Sequence, residues 1–262
     1  MNIQKPSHEL SIEETLTYTF DIYSRNFIIF FVPFLIAGLI SGILSVPILS
    51  YVSKISQIDF TGPPDVVWSQ LWNFILTLIA LAFILCITSW IIGNVISGVC
   101  VKCASDLIEK GKVSLGESFN FTVYKLPSLL IATLITGILV ALGSLALILP
   151  GIILYIMFFL VIPAIMIENT GALDSLSRSR RLVTNRWLKT FVLALLVGLI
   201  LGIAVFILNL IMAPLGIYRS LVGSVITAFV QPIIPISLTV YYYSMLAKEE
   251  QQRIPPPPPP PF

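Results

Sequence analysis

Long apolar runs, separated by short polar stretches, dominate the chain. A helix rises about 1.5 Å per residue and a bilayer core is about 30 Å thick, so roughly 20 apolar residues are needed to cross it. None of the runs alternates in the manner of a barrel strand, so helices are the expected spanning elements. The pattern predicts an all-α polytopic membrane protein with six transmembrane helices, at residues 27–52, 71–101, 127–149, 151–167, 190–213 and 220–246.

The uncharged stretch 127–167 is the clearest case of two spans joined by a turn. As one helix it would be about 60 Å long, twice the thickness that it has to cross. Pro150 and Gly151 form the only Pro-Gly pair in this stretch, and such pairs end helices. The sequence therefore predicts a turn at these two residues and an arrangement of three two-span hairpins.

Three polar segments that precede spans one, three and five resemble one another. The first and third align without a gap, pairing Glu14 with Asp174, and Ser11 and Ser114 each precede a glutamate by three positions, which is the capping-box spacing. We therefore predict a short amphipathic helix ahead of each hairpin, lying in the membrane interface. The resulting domains are a polar arm at 1–10, a six-span membrane domain at 11–246 with repeats starting near 11, 114 and 171, and a proline-rich tail at 247–262.

The third of these segments is rich in arginine. As a helix it would place its apolar residues on one stripe, while the arginines project to the sides or rear, near anionic headgroups. Glu168, which ends span four, either pairs with one of these arginines or is solvated at the boundary. The candidate lipid- or partner-binding residues are Arg178, Arg180, Arg181, Arg186 and Trp187.

Charge is both scarce and unevenly distributed. Only 11% of the residues are charged and 57% are hydrophobic, whereas soluble domains average about 25% charged residues. Of the 15 Lys and Arg residues, all but Lys54 and Arg219 lie in segments that six spans place on one side. Because basic residues remain on the cytoplasmic side, we expect a multi-pass protein of the cell membrane with both termini cytoplasmic. The net charge of +2 argues against nucleic acid as a partner.

The sequence carries few groups for catalysis or for a cofactor. His8 is the single histidine and sits in the polar arm. Cys100 and Cys103 form one CxxC pair, but a zinc site needs four ligands and no second pair exists. We therefore predict no enzymatic activity, no metal and no cofactor. The two thiols are expected to be ordinary buried groups, with lipid modification or redox sensing as alternatives, and Cys86 to be part of the core.

Three polar side chains fall within the predicted spans and define a candidate intramembrane polar path: Asn94, Asn209 and Gln231. Pro232 and Pro235 follow Gln231, and proline removes backbone hydrogen bonds from a helix. The pattern indicates either a broken helix that offers carbonyls to a ligand or a packed kink in which Gln231 satisfies a freed group.

Two features mark the end of the chain. The tyrosines at 241, 242 and 243 are typical of an aromatic belt at the cytoplasmic end of span six. The seven prolines at 255–261 form a rod of about 22 Å in the polyproline II conformation. This tail either docks on the aromatic groove of a protein partner or is solvated.

The stretch from Leu147 to Trp187 resembles a membrane domain that is attached to some glycerophosphoryl diester phosphodiesterases and occurs more often alone, in prokaryotic proteins of unknown function. The matching residues, which form a candidate structural motif, are Pro150, Gly151, Pro163, Glu168 and Ser179, together with Gly171, Leu176 and Trp187. The resemblance implies a polytopic helical fold. It does not imply phosphodiesterase activity, because in that family the activity resides in a separate soluble barrel.

Taken together, the sequence predicts a non-catalytic membrane module that organises lipid or protein partners through its basic helices and its tail. The alternative is a transporter or channel for a neutral or amphiphilic solute, with its path near the three polar side chains. A lipid enzyme is the third interpretation, but it would need titratable residues that converge at one interface.

Overall fold

The computed structural model describes residues 5–57, 61–212 and 219–253, and within these ranges every regular element is helical. Five helical stretches are long and apolar enough to cross a membrane: Phe27–Ser56, Pro64–Lys110, Leu115–Ala146, Ile148–Glu168 and Trp187–Ile211. The helices in chain order are α1 (Ile12–Arg25), α2 (Phe27–Val52), α3 (Pro64–Lys110), α4 (Leu115–Ala146), α5 (Ile148–Met157), α6 (Val161–Glu168), α7 (Ala172–Thr184), α8 (Trp187–Met212), α9 (Arg219–Thr227) and α10 (Ile233–Arg253), with a short 3-10 helix at Ser53–Gln57.

Helix α3 is much longer than the predicted second span. It has 47 residues and continues past Lys102, where the sequence pattern indicated an end. Asp106 forms ion pairs with Lys102 at 3.2 Å and with Lys110 at 2.8 Å, so these charges are paired along one side of the helix. The segment from Val99 to Ile108 is largely buried. The segment from Val99 to Ile108 therefore belongs to the protein core, whereas Glu109 and Lys110 at the end of the helix are exposed.

The turn between α4 and α5 lies three residues before the predicted position. Helix α4 ends at Ala146, Leu147 is extended, and Pro150 sits in the first turn of α5, where its missing N–H is not needed. Gly151 instead serves close packing, because a Cβ there would lie 2.9 Å from the Ser144 Cα atom. The prediction of a Pro-Gly turn is wrong, although the chain does fold back at this place.

The second repeat segment also differs from the prediction. Residues 115–126 are the beginning of α4, which continues without interruption through Pro127. The Ser114 hydroxyl accepts a hydrogen bond from the Glu117 N–H, as the capping spacing predicted. Among the described residues, a separate helix leads into an apolar one at α1 and α7 but not at the second repeat segment.

The fourth predicted span is broken between α5 and α6, at residues 158–160. Pro163 explains the break, since its ring cannot accommodate the carbonyl of residue 159 and it offers no N–H. The Ser179 hydroxyl of α7 closes the gap: it donates to the Met157 carbonyl at 2.8 Å and accepts from the Leu160 N–H at 3.1 Å.

The sixth predicted span is two helices rather than one. Residues 228–232 separate α9 from α10, and the Phe229 carbonyl in this break accepts a 2.7 Å hydrogen bond from the Tyr23 hydroxyl of α1. Gln231 is exposed, so the freed carbonyl is satisfied by another helix and not by a kink that Gln231 completes. The helix is broken, but the Phe229 carbonyl is bonded to Tyr23, so the expectation that the break offers carbonyls to a ligand stays a prediction.

Helix α10 lies at the centre of the protein core. Its residues 235–245 are buried without exception, which means that neighbours cover it on all sides. Helix α1 runs antiparallel to it, because Leu10 contacts Ser244 and Tyr23 contacts Phe229. The outer surfaces of α2, α4, α8 and the first two thirds of α3 instead expose large apolar side chains, among them Trp68, Phe83, Leu145 and Phe206.

Candidate functional site

Arg178 occupies the middle of an ion-pair cluster between α6, α7 and α10. Its Nε donates to both Glu168 carboxylate oxygens at 2.9 Å, and its Nη1 and Nη2 donate to the two Glu249 oxygens at 2.9 and 2.8 Å. Burial alone would lower the pKa of Arg178, but the hydrogen bonds to Glu249 and Glu168 raise it above its ordinary value. Glu168 is therefore paired, and Arg178 is turned inward rather than toward lipid.

A second cluster is built on Glu9, in the polar arm. Its carboxylate contacts Lys189 at 2.9 Å, Arg186 at 3.2 Å and Lys248. Burial opposes ionisation of Glu9, but the hydrogen bonds from Lys189 and Lys248 outweigh it and lower the pKa of this carboxyl. The cluster ties the arm to α8 and to the end of α10.

The remaining residues of the predicted lipid interface divide into two groups. Arg180 and Arg181 are exposed on α7. Arg186 is only 11% exposed and points to Glu9, while Trp187 is half-buried and stacks on Phe191 with parallel rings 5.7 Å apart. The five candidates therefore do not form one surface.

Helices α1 and α7 pack lengthwise on other helices. The buried side of α1 carries Thr15, Thr19 and Ile22, whereas the aromatic residue Phe20 is 43% exposed. The hydroxyls of both threonines are satisfied by carbonyls four residues earlier, so they can be buried at little cost.

The tyrosines of α10 do not form an interfacial belt, because all three are at most 1% exposed. The Tyr243 hydroxyl lies 2.7 Å from the Ser105 hydroxyl and donates to Glu109 at 2.7 Å. The Tyr241 hydroxyl lies 2.9 Å from that of Thr190. Because nearby residues of a helix point to different sides, Tyr243 joins α10 to α3 and Tyr241 joins it to α8.

The structural motif indicated by the resemblance falls into two places. Pro163, Glu168 and Ser179 lie together where α6 meets α7. Pro163 accounts for the break between α5 and α6, the Ser179 hydroxyl bonds to the backbone on both sides of that break, and Glu168 pairs with Arg178. Pro150 and Gly151 lie at the other end of α5, in the contact with α4.

The three polar side chains of the predicted path do not converge. The Asn94 amide is buried and donates to the Trp90 carbonyl at 2.9 Å, and that of Asn209 is exposed on α8 and donates to the Val205 carbonyl at 2.8 Å. Gln231 alone lines a cavity of about 450 Å³ between α2, α3, α6 and the α9–α10 break. A continuous path through all three is therefore not present in the described part of the chain.

The cysteines lie at two different kinds of position. Cys100 and Cys103 are buried against α10, as the sequence indicated, whereas Cys86 is exposed on the apolar part of α3 and is not in the core. Within residues 5–57, 61–212 and 219–253, no three or more His, Cys, Asp or Glu side chains are grouped to hold a metal ion.

Sequence reasoning missed the partners that complete these clusters. Glu9 and Glu249 looked like members of solvated terminal segments, and Ser105, Glu109 and Thr190 carried no motif. One signal was available for the first pair: acidic residues are scarce in this chain, with 13 Asp and Glu in 262 residues.

The sequence matches one known family over residues 22–246, described as a domain of unknown function, DUF7847. No curated protein and no solved structure matches the chain. The matched region includes α2 to α9 entirely and α10 up to Leu246, so it contains Arg178, Ser179, the three tyrosines and the cavity. Because the match covers most of its length, the chain belongs to the DUF7847 family.

Proposed function

We propose that this protein is a non-catalytic module of the cell membrane that gathers anionic lipid at its cytoplasmic face. The observation that carries the proposal is the difference between neighbouring arginines of α7. Arg178 is buried in ion pairs, whereas Arg180 and Arg181 are exposed on the same helix. An exposed basic pair held on a fixed helix suits an anionic headgroup region.

The proposed topology has six crossings with both termini in the cytoplasm. The five long apolar helices supply five of them, and α9 with the first part of α10 supplies the sixth. The three pairs of crossings form hairpins, and α1 and α7 lead into the first and third. The bias of basic residues toward one side sets the orientation.

Cysteine labelling in intact cells tests this topology. A membrane-impermeant maleimide should leave Ser177→Cys unlabelled and should label Ser53→Cys, both made in a variant whose native cysteines are replaced by serine. Labelling of Ser177→Cys from outside the cell would refute the proposed orientation.

Lipid enrichment tests the proposed role. Each basic residue near an anionic surface contributes about 1 kcal/mol, so Arg180→Ala with Arg181→Ala should lower the preference for phosphatidylglycerol over phosphatidylcholine by up to about 30-fold. The preference is measured by native mass spectrometry of protein from mixed-lipid nanodiscs. Lys54→Ala, which removes an exposed charge at the far end of α2, is the control. An unchanged preference in the double variant would contradict the proposal.

The proline-rich tail is a proposed contact for a protein partner. Residues 254–262 lie outside the described residues, and α10 ends just before them, at Arg253. Polyproline segments bind aromatic grooves at low entropic cost. A chain truncated after Arg253 should lose such a partner in crosslinking and pull-down experiments while it keeps its lipid preference.

A second candidate function is transport of a neutral or amphiphilic solute. The observation that favours it is the cavity lined by Gln231 at a break between helices, a geometry that transporters use. Asn94 and Asn209 do not line this cavity, which weakens the case for transport. Flux of neutral solutes across vesicles containing the protein would support transport, and none above protein-free vesicles would refute it.

A further inference from the structure

The cavity beside Gln231 combines small, polar and apolar walls. Helix α3 contributes Ser89, Gly93 and Ser97, which are spaced four residues apart and therefore share one face. Helix α2 contributes Gly38 and Ser41 from the opposite side. The volume of about 450 Å³ lies within the range of small-molecule sites, roughly 300–1,000 Å³.

The polar groups of this cavity are all neutral. Gln231 supplies an amide that both donates and accepts, and Thr227, Ser41, Ser89 and Ser97 supply hydroxyls. Among the described residues that line it there is no Asp, Glu, Lys, Arg or His. A charged headgroup would lose its hydration here without gaining a counter-charge, which is costly.

The remaining walls are hydrocarbon. Phe34, Ile96, Ile162 and Leu238 line the cavity, and Ile234 lines it while 38% of its surface stays exposed. The neighbouring outward positions of α2 are large and apolar as well, among them Leu39, Ile40 and Ile43. An occupant that arrives through an apolar rim and meets hydroxyls and an amide inside has one polar end and one hydrocarbon end.

We propose that this cavity binds a neutral amphiphile, a lipid whose uncharged head carries hydroxyl or ester groups. Gln231 hydrogen-bonds the head together with the serine face of α3, and the acyl chain packs against Phe34, Ile162 and Leu238. The helix break places Gln231 at this position, because residues 228–232 leave the helical path between α9 and α10.

This assignment goes beyond the anionic-lipid proposal and uses different residues. Loss of the α7 arginines leaves the cavity intact, and filling the cavity leaves Arg180 and Arg181 exposed. The cavity assignment does not require that the lipid crosses the bilayer, so an absence of solute flux in the vesicle experiment does not contradict it.

Gly93 offers a way to fill the site without disturbing its walls. A Cβ atom added there meets no atom within 4 Å, so Gly93→Leu projects into the open cavity. Gly137→Leu on α4 is the matched control, since its Cβ also meets nothing within 4 Å and it does not line the cavity. Gln231→Leu removes the amide, and Asn209→Leu is its control.

The test uses the full chain in detergent and a monoacylglycerol that carries a photoreactive group on its acyl chain. Labelled peptides should map to α2 around Phe34–Ser41 and to α3 around Ser89–Ser97, and unlabelled monoacylglycerol should compete. Gly93→Leu should reduce labelling at least about tenfold. Gln231→Leu should reduce it by about three- to tenfold, the effect of one lost hydrogen bond. Both control variants should label like the unmodified protein.

Three results would overturn the assignment. Labelling of Gly93→Leu equal to that of Gly137→Leu would show that the probe does not occupy the cavity. Competition by phosphatidylglycerol as strong as that by monoacylglycerol would show that the site is not selective for a neutral head. If Gly93→Leu does not elute as a folded protein in size-exclusion chromatography, the comparison of Gln231→Leu with Asn209→Leu tests the assignment instead. Equal labelling of these two variants would refute the role of the amide.

Discussion

Arg178 and Glu249 form a two-point ion pair in which each terminal guanidinium nitrogen donates to one carboxylate oxygen, at 2.9 and 2.8 Å. The two residues are far apart in sequence, and their pairing fastens the end of α10 to α7. The same guanidinium also binds Glu168 at the end of α6, so three helices meet at one side chain.

Replacement of Arg178 should destabilise the protein far more than replacement of its exposed neighbour. Arg178→Ala leaves two partly buried carboxylates without a counter-charge, which costs about 3–5 kcal/mol. Arg180→Ala removes an exposed group and should change stability by no more than about 0.5 kcal/mol. Thermal unfolding in detergent compares the two, and equal midpoints would show that the cluster has no structural role.

Removal of the Ser179 hydroxyl should loosen the break between α5 and α6. Ser179→Ala leaves the Met157 carbonyl and the Leu160 N–H without their partner, at a cost of about 1–3 kcal/mol. Hydrogen exchange should become faster at residues 158–161. Ser177→Ala, on the exposed side of α7, is the control, and unchanged exchange in Ser179→Ala would contradict the assignment.

The Tyr243 hydroxyl should contribute measurably to stability. Tyr243→Phe removes the bonds to Ser105 and Glu109 while keeping the ring, and Ser105 stays buried without that partner. We expect a loss of about 1–3 kcal/mol. Tyr124→Phe changes a side chain that is 77% exposed and should have no effect, so equal unfolding midpoints of the two variants would refute the prediction.

The Glu9 cluster predicts a dependence on acid. The pKa of Glu9 in the folded protein lies below its ordinary value of 4.5, so its contribution is complete above pH 4.5 and is lost as pH falls through the lowered pKa. Glu9→Gln should therefore lose stability less steeply below pH 4.5 than the unmodified protein. Glu13→Gln, an exposed carboxylate nearby, is the control. Unfolding midpoints measured from neutral to acidic pH test this, and parallel profiles for all three proteins would contradict it.

Close contact between α4 and α5 should make Gly151 intolerant of a side chain. In Gly151→Ala the new Cβ would lie 2.9 Å from the Ser144 Cα and backbone N atoms, so the two helices must separate. Overpacking of this kind costs about 1–3 kcal/mol. Gly137→Ala meets no such contact and should stabilise α4 by about 0.5–1 kcal/mol. Thermal unfolding of both variants should therefore shift in opposite directions, and a rise in the midpoint of Gly151→Ala would refute the close packing.

The apolar runs predicted the long helices because length and hydrophobicity alone determine whether a helix can span a bilayer. Helix α2 begins and ends where the run 27–52 does, and α8 differs from the run 190–213 by only a few residues. The positions of the helix breaks were harder to predict, because a proline disturbs the turn before it. Pro163 interrupts the helix at 158–160, whereas Pro150 fits the first turn of α5.

The environment of individual side chains could not be read from the pattern. Protein interior and lipid are both apolar, so the same periodicity fits a tyrosine facing a headgroup and Tyr242 enclosed by helices. Arg178 and Arg180 are identical residues two positions apart, and Arg178 is the one that meets Glu168 and Glu249 in the folded protein. The cavity depends on how α2, α3, α6 and the break between α9 and α10 pack together, which no local signal records.

The central position of α10 has a consequence for biosynthesis. Of the described helices it leaves the ribosome last, yet the others surround it. The preceding helices must therefore form while Thr190 and Ser105 lack the tyrosine hydroxyls and while Arg178 lacks Glu249, and the interior is complete only when this final segment packs among them.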